Sequence, residues 1–187
     1  MKKIAIFASG EGTNAQNIIR YFKSSTSAKI ALVVSNKPTA NVLNRATDAG
    51  IETLLIDRNT FYQSNYTIEQ LKGAKIDLIV LAGFLWMIPE ALIKEFPNKI
   101  VNIHPALLPK FGGQGMYGIK VHQAVIEANE QQSGISIHYV NEHYDEGEII
   151  AQYTCFIQPD DTPETLAQKI HQLEYEYFPK TIEKLLE

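Results

Sequence analysis

Cysteine is nearly absent: the chain of 187 residues carries one, Cys155. A single thiol excludes an intrachain disulfide and a multi-cysteine metal site, and it falls in a strand-like run, Ile149 to Ile157, where a packed thiol is the ordinary outcome. Long hydrophobic runs are missing too. The longest, Leu78 to Pro89, is too short to cross a bilayer, and the apolar stretch after Lys2-Lys3 is too short for a signal-peptide core. Excess positive charge is also lacking: the formal net charge is -4, and no basic stripe offers to neutralise a phosphate backbone. These absences lead us to expect a cytoplasmic protein with neither membrane nor nucleic acid as partner.

What is present suffices for one core. Apolar residues make up 45% of the chain, and no shift in composition marks a second domain, so residues 1–187 are expected to form one. Short apolar runs alternate with amphipathic segments of helical length: Lys3–Ala8 then Asn14–Lys23, Lys29–Val34 then Thr39–Ala49, Thr53–Ile56 then Phe61–Leu71, Ile76–Leu81 then Pro89–Glu95, and Lys99–Ile103. That order predicts a doubly wound, mostly parallel α/β sheet with helices on both faces, a Rossmann-like fold. After Pro109 come a glycine-rich loop from Phe111 to Gly118, a helix near Lys120–Asn129 and two further strands, Gly134–Val140 and Glu148–Ile157. The acidic linker between those strands, Asn141 to Gly147, reads as a hairpin or as a loop at the sheet's end. Thr162-Pro163-Glu164 opens the last helix with a cap, a proline and a first-turn acid.

Three places could carry chemistry. Ser9-Gly-Glu-Gly-Thr-Asn14 lies where the first strand turns into a helix, a position that suits an anion because backbone N–H groups and the helix dipole face it. The turn fits the loose form of a dinucleotide fingerprint, but the second strand ends Ser35-Asn36-Lys37-Pro38, without the acid that would hold a ribose. A phosphate monoester therefore fits better than a dinucleotide, and a turn kept only for close packing is the bland alternative. Next, Asn102-Ile-His104-Pro105 places an amide and an imidazole on one side of a strand end, where open α/β sheets bind ligands. They could serve chemistry or satisfy each other and a loop. Asp145 is a third candidate if its loop folds back over that edge, and a solvated turn aspartate if it does not; His138 could line the same crevice or satisfy the core. No histidine spacing resembles a zinc motif, so no metal is expected. Gly-x-Ser-x-Gly is absent as well, which favours direct attack between two bound substrates over a covalent intermediate.

Taken together, Ser9-Gly-x-Gly-Thr-Asn14, Leu81-Ala-Gly-Phe84, Asn102-Ile-His-Pro-x-Leu-Leu-Pro109, His138-Tyr-Val and Asp145-x-Gly147 resemble the phosphoribosylglycinamide formyltransferases, folate-dependent enzymes of purine synthesis. The resemblance runs over essentially the whole chain. It implies formyl transfer from 10-formyltetrahydrofolate, as co-substrate, to the amine of 5-phosphoribosylglycinamide, with no metal and with small molecules as the only ligands of a monomer or weak homodimer. It assigns Gly12, Thr13 and Asn14 to the substrate phosphate and His171 and Glu174 to its ribose. Asn102 and His104 would polarise the formyl oxygen, with His104 supplying a proton. Asp145 would keep His104 protonated or orient a water that shuttles the amine proton. The folate pocket would be built from Leu85, Trp86, Met87 and Ile88, with Asn102, and from the loop Asn141, Glu142, His143 and Tyr144.

The chain departs from the pattern twice. Trp86 stands where many relatives carry arginine, and Phe111-Gly-Gly-Gln-Gly-Met-Tyr-Gly118 stands where they read Pro-Gly and then histidine, which leaves the loop geometry and the place of His122 open. A formyltetrahydrofolate deformylase, with the same trio, and a catalytically silent ligand-binding module are the competing readings.

Overall fold

The computed structural model describes all of residues 1–187. Seven strands form one sheet: β1 (Lys2–Phe7), β2 (Ala28–Ser35), β3 (Glu52–Leu55), β4 (Leu78–Leu81), β5 (Ile100–His104), β6 (Gln132–Tyr139) and β7 (Ile149–Phe156). Their spatial order is β3-β2-β1-β4-β5-β6-β7; the first five are parallel, and β6 and β7 are antiparallel to their neighbours. Six helices connect or cover them: α1 (Thr13–Phe22), α2 (Asn41–Asp48), α3 (Tyr66–Gly73), α4 (Glu90–Glu95), α5 (Ile119–Glu127) and α6 (Pro163–Leu186). None is long and apolar enough to cross a membrane.

The mostly parallel sheet follows from strands that are apolar on both sides. In β1, Ile4 and Ile6 pack with Ala15 and Ile18 of α1 and Ile170 and Phe178 of α6, while Ala5 and Phe7 pack on the opposite face with Leu71 of α3 and Leu92 of α4. All four β1 side chains are fully buried, and each large one contributes roughly 1.5–3 kcal/mol of burial. Helices on both faces are the consequence.

The helix expected over Phe61–Leu71 is instead two pieces. A single helical turn, Asn59–Gln63, precedes α3, because the Asp57 carboxylate accepts the Thr60 N–H at 2.7 Å and Ser64 is extended. Later, the Thr162 hydroxyl accepts the Thr165 N–H while the Thr165 hydroxyl accepts the Thr162 N–H, so α6 opens on a reciprocal cap. Pro179, inside α6, removes the N–H that would bond the Tyr175 carbonyl. Asn17 of α1 replaces it, donating to that carbonyl at 2.8 Å.

The chain winds outward one way from β1 through β2 to β3, then returns to begin β4 on the other side of β1. The adjacent ends of β1 and β4 therefore diverge into different connections, which opens a crevice at the carboxyl edge of the sheet. β6 runs antiparallel to β5 and ends beside its first residues, where the Val140 N–H donates to the Ile100 carbonyl, and the loop that follows folds back so that Val140, Asn141 and His143 to Asp145 line this crevice.

Candidate active site

A cavity of about 810 Å³ occupies this crevice. Its floor is the turn after β1, Gly10 to Asn14; its walls are the segment after β4, the end of β5, the loop before α5, the β6–β7 hairpin loop and the middle of α6. One connected space thus joins every candidate segment singled out in the sequence.

The turn is shaped by Gly12, which is left-handed at φ 70° and ψ 32° and caps α1. A Cβ there would stand 2.5 Å from the Val42 side chain, so neither the backbone angle nor the space admits another residue without strain. No side chain caps the helix and its first turn has no acid. The N–H groups of Glu11, Gly12, Thr13 and Asn14 have no acceptor within the protein, an arrangement suited to an anion. Ser9 holds the turn in place: its hydroxyl donates to Asn36 at 2.6 Å and accepts the Leu85 N–H at 3.0 Å. Asn36, where a dinucleotide site would carry an acid, is thereby spent on the scaffold.

Farther along the cavity, Asn14 donates from Nδ2 to Glu174 Oε2 at 2.9 Å. Glu174, which from sequence could have been an exposed helix charge, is 6% exposed. Burial pushes its carboxyl above the ordinary range, against the pull of Asn14 and His171. His171 is exposed and lines the same wall.

Asn102, His104 and Asp145 converge at the cavity's other end. The carbonyl of Phe111 can only accept, so His104 Nε2 donates to it at 2.7 Å, which leaves Nδ1 facing Asp145 Oδ2 at 3.4 Å. His138 Nδ1 likewise donates to the Tyr139 carbonyl at 2.8 Å, so its Nε2 accepts from Asn102 Nδ2 at 3.1 Å. Asn102 also donates to Asp145 Oδ1 at 3.4 Å, the longer and weaker of its two bonds. Register explains the pairing, since Asn102 of β5 stands opposite His138 of β6. Asp145 is held at a left-handed φ of 57° and accepts the Gly113 N–H at 3.0 Å. Such a conformation is costly for a residue other than glycine and persists only where the surroundings fix it.

Burial pushes the His104 imidazole below the ordinary histidine range, although Asp145 and the Phe111 carbonyl pull it upward. Loss of solvent works against a protonated His104, and the nearby carboxylate works for one. Asp145 resolves the other way. Burial raises it, but the neighbouring His138 and His104 imidazoles and the Gly113 N–H prevail and hold it below the usual carboxylate range. Burial thus disfavours the charged form of His104, while the contacts around Asp145 favour its carboxylate.

The third region is apolar. Leu85, Trp86, Met87 and Ile88 line it together with Asn141, His143 and Tyr144, whereas Glu142 is exposed and outside the cavity lining. Residues 85–88 precede α4 rather than starting a helix. Trp86 packs against Phe61, Tyr62 and Phe84, and the Arg58 guanidinium lies 4.6 Å from the Trp86 ring centroid. A cation thus accompanies the indole, arriving from the turn before α3.

Sequence reasoning missed Arg58, and it also missed Ser136. The Ser136 hydroxyl donates to Ala106 O at 2.7 Å and accepts the Leu108 N–H at 2.9 Å, which fixes the segment behind His104. The only hint was a serine in a buried strand. His122, left open above, lies on α5 in the cavity wall with Nδ1 buried and unpartnered. Burial pushes its imidazole down to about 4, with His171 and His104 adding to the effect.

The formyl transferase family model matches residues 2–182. Over its full length the chain is 38% identical to phosphoribosylglycinamide formyltransferase of Bacillus subtilis, covering 95% of that protein. It is also 38% identical to the chloroplastic phosphoribosylglycinamide formyltransferase of Arabidopsis thaliana and 39% identical to the trifunctional purine biosynthetic protein adenosine-3 of Drosophila melanogaster. The chain spans 66% of the length of the first and 14% of the second. The crystal structure of phosphoribosylglycinamide formyltransferase from Bacillus halodurans is similar with a TM-score of 0.87 at 41% identity, over 99% of this chain and 95% of that one.

Proposed function

Because the chain belongs to the formyl transferase family, we propose that it moves the formyl group of 10-formyltetrahydrofolate to the amine of 5-phosphoribosylglycinamide, a step of purine biosynthesis, with residues 1–187 acting as one unit. The observation that carries this reading is the span of the cavity. A turn suited to an anion, a partly buried Asn14–Glu174 pair, a polar Asn102–His104–Asp145 centre and an apolar wall at Trp86 follow one another in a single space. A phosphorylated ribose bearing an amine and a flat apolar donor would meet with the amine and formyl carbon at the polar centre.

In this reading the phosphate binds the N–H groups of Gly12, Thr13 and Asn14, and the ribose hydroxyls bind Glu174 beside His171. The pterin lies against residues 85–88 and against Asn141, His143 and Tyr144 of the hairpin loop. The neutral amine attacks the formyl carbon, and a tetrahedral oxyanion forms. Asn102 stabilises it by turning its Nδ2 donor from the 3.4 Å contact with Asp145 toward the oxygen. The proton lost by the amine passes, through a water held by Asp145, to Nδ1 of the neutral His104. The resulting imidazolium is steadied by the Asp145 carboxylate. As the carbon–nitrogen bond to the folate breaks, that proton goes to the departing N10, so one proton leaves the amine and one reaches the product folate.

The test is spectrophotometric: release of the deformylated folate analogue from 10-formyl-5,8-dideazafolate, with and without the ribonucleotide. Release only when the ribonucleotide is present supports transfer. Equal release in its absence would identify a hydrolase, and no release in either mixture would favour a binding module.

A further inference from the structure

We propose that Arg45 is a positioning residue for the anion-binding turn: from α2 it grips the Glu11 carbonyl, which aims the Gly12 N–H into the cavity, and it draws the Glu11 carboxylate aside. The inference rests on the reading of that turn as the substrate's phosphate site.

The geometry is that of peptide planes. In a trans peptide the carbonyl and the following N–H point in opposite directions, so whatever holds the oxygen also aims the hydrogen. Arg45 Nε donates to the Glu11 carbonyl at 2.7 Å. One peptide earlier, the Val42 N–H donates to the Gly10 carbonyl at 3.1 Å. Two successive carbonyls are therefore held from the α2 side, and the Glu11 and Gly12 N–H groups, which have no acceptor in the protein, face the other way. Arg45 Nη1 also donates to Gln16 Oε1 at 2.5 Å, which ties the clamp to the first turns of α1.

Glu11 makes the arginine's charge matter. A carboxylate within an anion-binding turn opposes its ligand. Here Glu11 Oε2 lies 4.0 Å from Arg45 Nη2 and accepts from Asn41 Nδ2 at 3.1 Å, so both partners sit on α2. The Glu11 side chain is 77% exposed, and as a surface ion pair it would contribute little stability. The Arg45 side chain is 24% exposed, and its bond to a fixed backbone oxygen is charge-assisted. The consequence falls on anion affinity rather than on folding.

The experiment compares the full-length wild type with Arg45→Met and Arg45→Gln. Steady-state KM is measured for the ribonucleotide and for the formyl folate, and inorganic phosphate is titrated against the Gly12 amide signal by NMR. Arg45→Met should raise the ribonucleotide KM about 10–100-fold, with kcat and the folate KM within about threefold of wild type. Arg45→Gln, which keeps an N–H donor, should lose less. Adding Glu11→Gln to Arg45→Met should recover part of the loss. Unchanged ribonucleotide KM and phosphate affinity in Arg45→Met would overturn the proposal, as would an equal rise in both KM values with a fall in melting temperature in both variants. The phosphate titration needs no turnover. Weakened phosphate binding by Arg45→Met in a protein that does not formylate the ribonucleotide would overturn the functional reading and leave the positioning role standing.

Discussion

Asn14 and Glu174 meet across 160 residues of sequence, the first in the opening turn of α1 and the second in the middle of α6, at 2.9 Å. The pair fixes the distance between the anion-binding turn and the wall assigned to the ribose. Glu174→Gln keeps an acceptor for Asn14 but removes the carboxylate from the sugar. It should fold normally and raise the ribonucleotide KM roughly tenfold, the scale of one hydrogen bond to a charged group. Unchanged KM would remove Glu174 from the substrate site.

Gly12 should resist even alanine. A left-handed backbone costs a residue with a Cβ about 1–2 kcal/mol, and the contact with Val42 adds to it. Gly12→Ala should lower the free energy of unfolding in urea by about 2–3 kcal/mol and weaken ribonucleotide binding. Combining it with Val42→Ala should relieve the clash but not the backbone strain. Full stability in Gly12→Ala would mean that the turn can relax.

Asp145 and His104 predict the direction of a pH shift. The carboxylate pulls the imidazole upward while burial pushes it down. In Asp145→Asn burial acts with less opposition, so His104 takes its proton at a lower pH. Because the proposed reaction begins with a neutral His104, the acid limb of kcat/KM should move to lower pH in the variant. The plateau should fall by about two to four orders of magnitude if proton transfer is lost. An acid limb that moves upward would contradict this assignment.

His122 predicts an acid-sensitive fold. The unfolded histidine takes a proton near 6.5 and the folded one near 4, so between these values the unfolded state binds more protons. Stability should therefore rise with pH from about 4 to about 6.5 and level off above, by up to roughly 3 kcal/mol. Urea midpoints at pH 4.5 and pH 7 measure it. His122→Leu should narrow the gap between them; an unchanged gap would assign the acid sensitivity elsewhere.

The strand pattern was legible because both faces of β1 and β4 are covered, and burial on two sides leaves a continuous apolar run. The broken helix before β4 was not. Phe61 and Leu71 are both core residues, so their spacing looked helical, while the interruption depends on the small polar set at Asp57, Thr60 and Ser64. Asn102 and His104 could be placed on one strand face from alternation alone. Whether Asp145 joined them could not, because that depends on how the β6–β7 loop folds over the sheet edge. Asn102 facing His138 is a matter of β5–β6 register, which periodicity within one strand does not report. Arg45 and Ser136 were invisible for another reason: their bonds go to backbone carbonyls and an amide, which every sequence possesses.

Formyl transfer is tested by following its atoms. The protein is mixed with folate donor carrying a carbon-13 formyl group and with 5-phosphoribosylglycinamide, and the products are read by mass spectrometry alongside His104→Ala. Direct transfer with His104 as the proton carrier predicts labelled formylglycinamide ribonucleotide from the wild type, no labelled formate, and a rate for His104→Ala lower by about two to four orders of magnitude. Label recovered as formate, or a His104→Ala variant as fast as wild type, would contradict it.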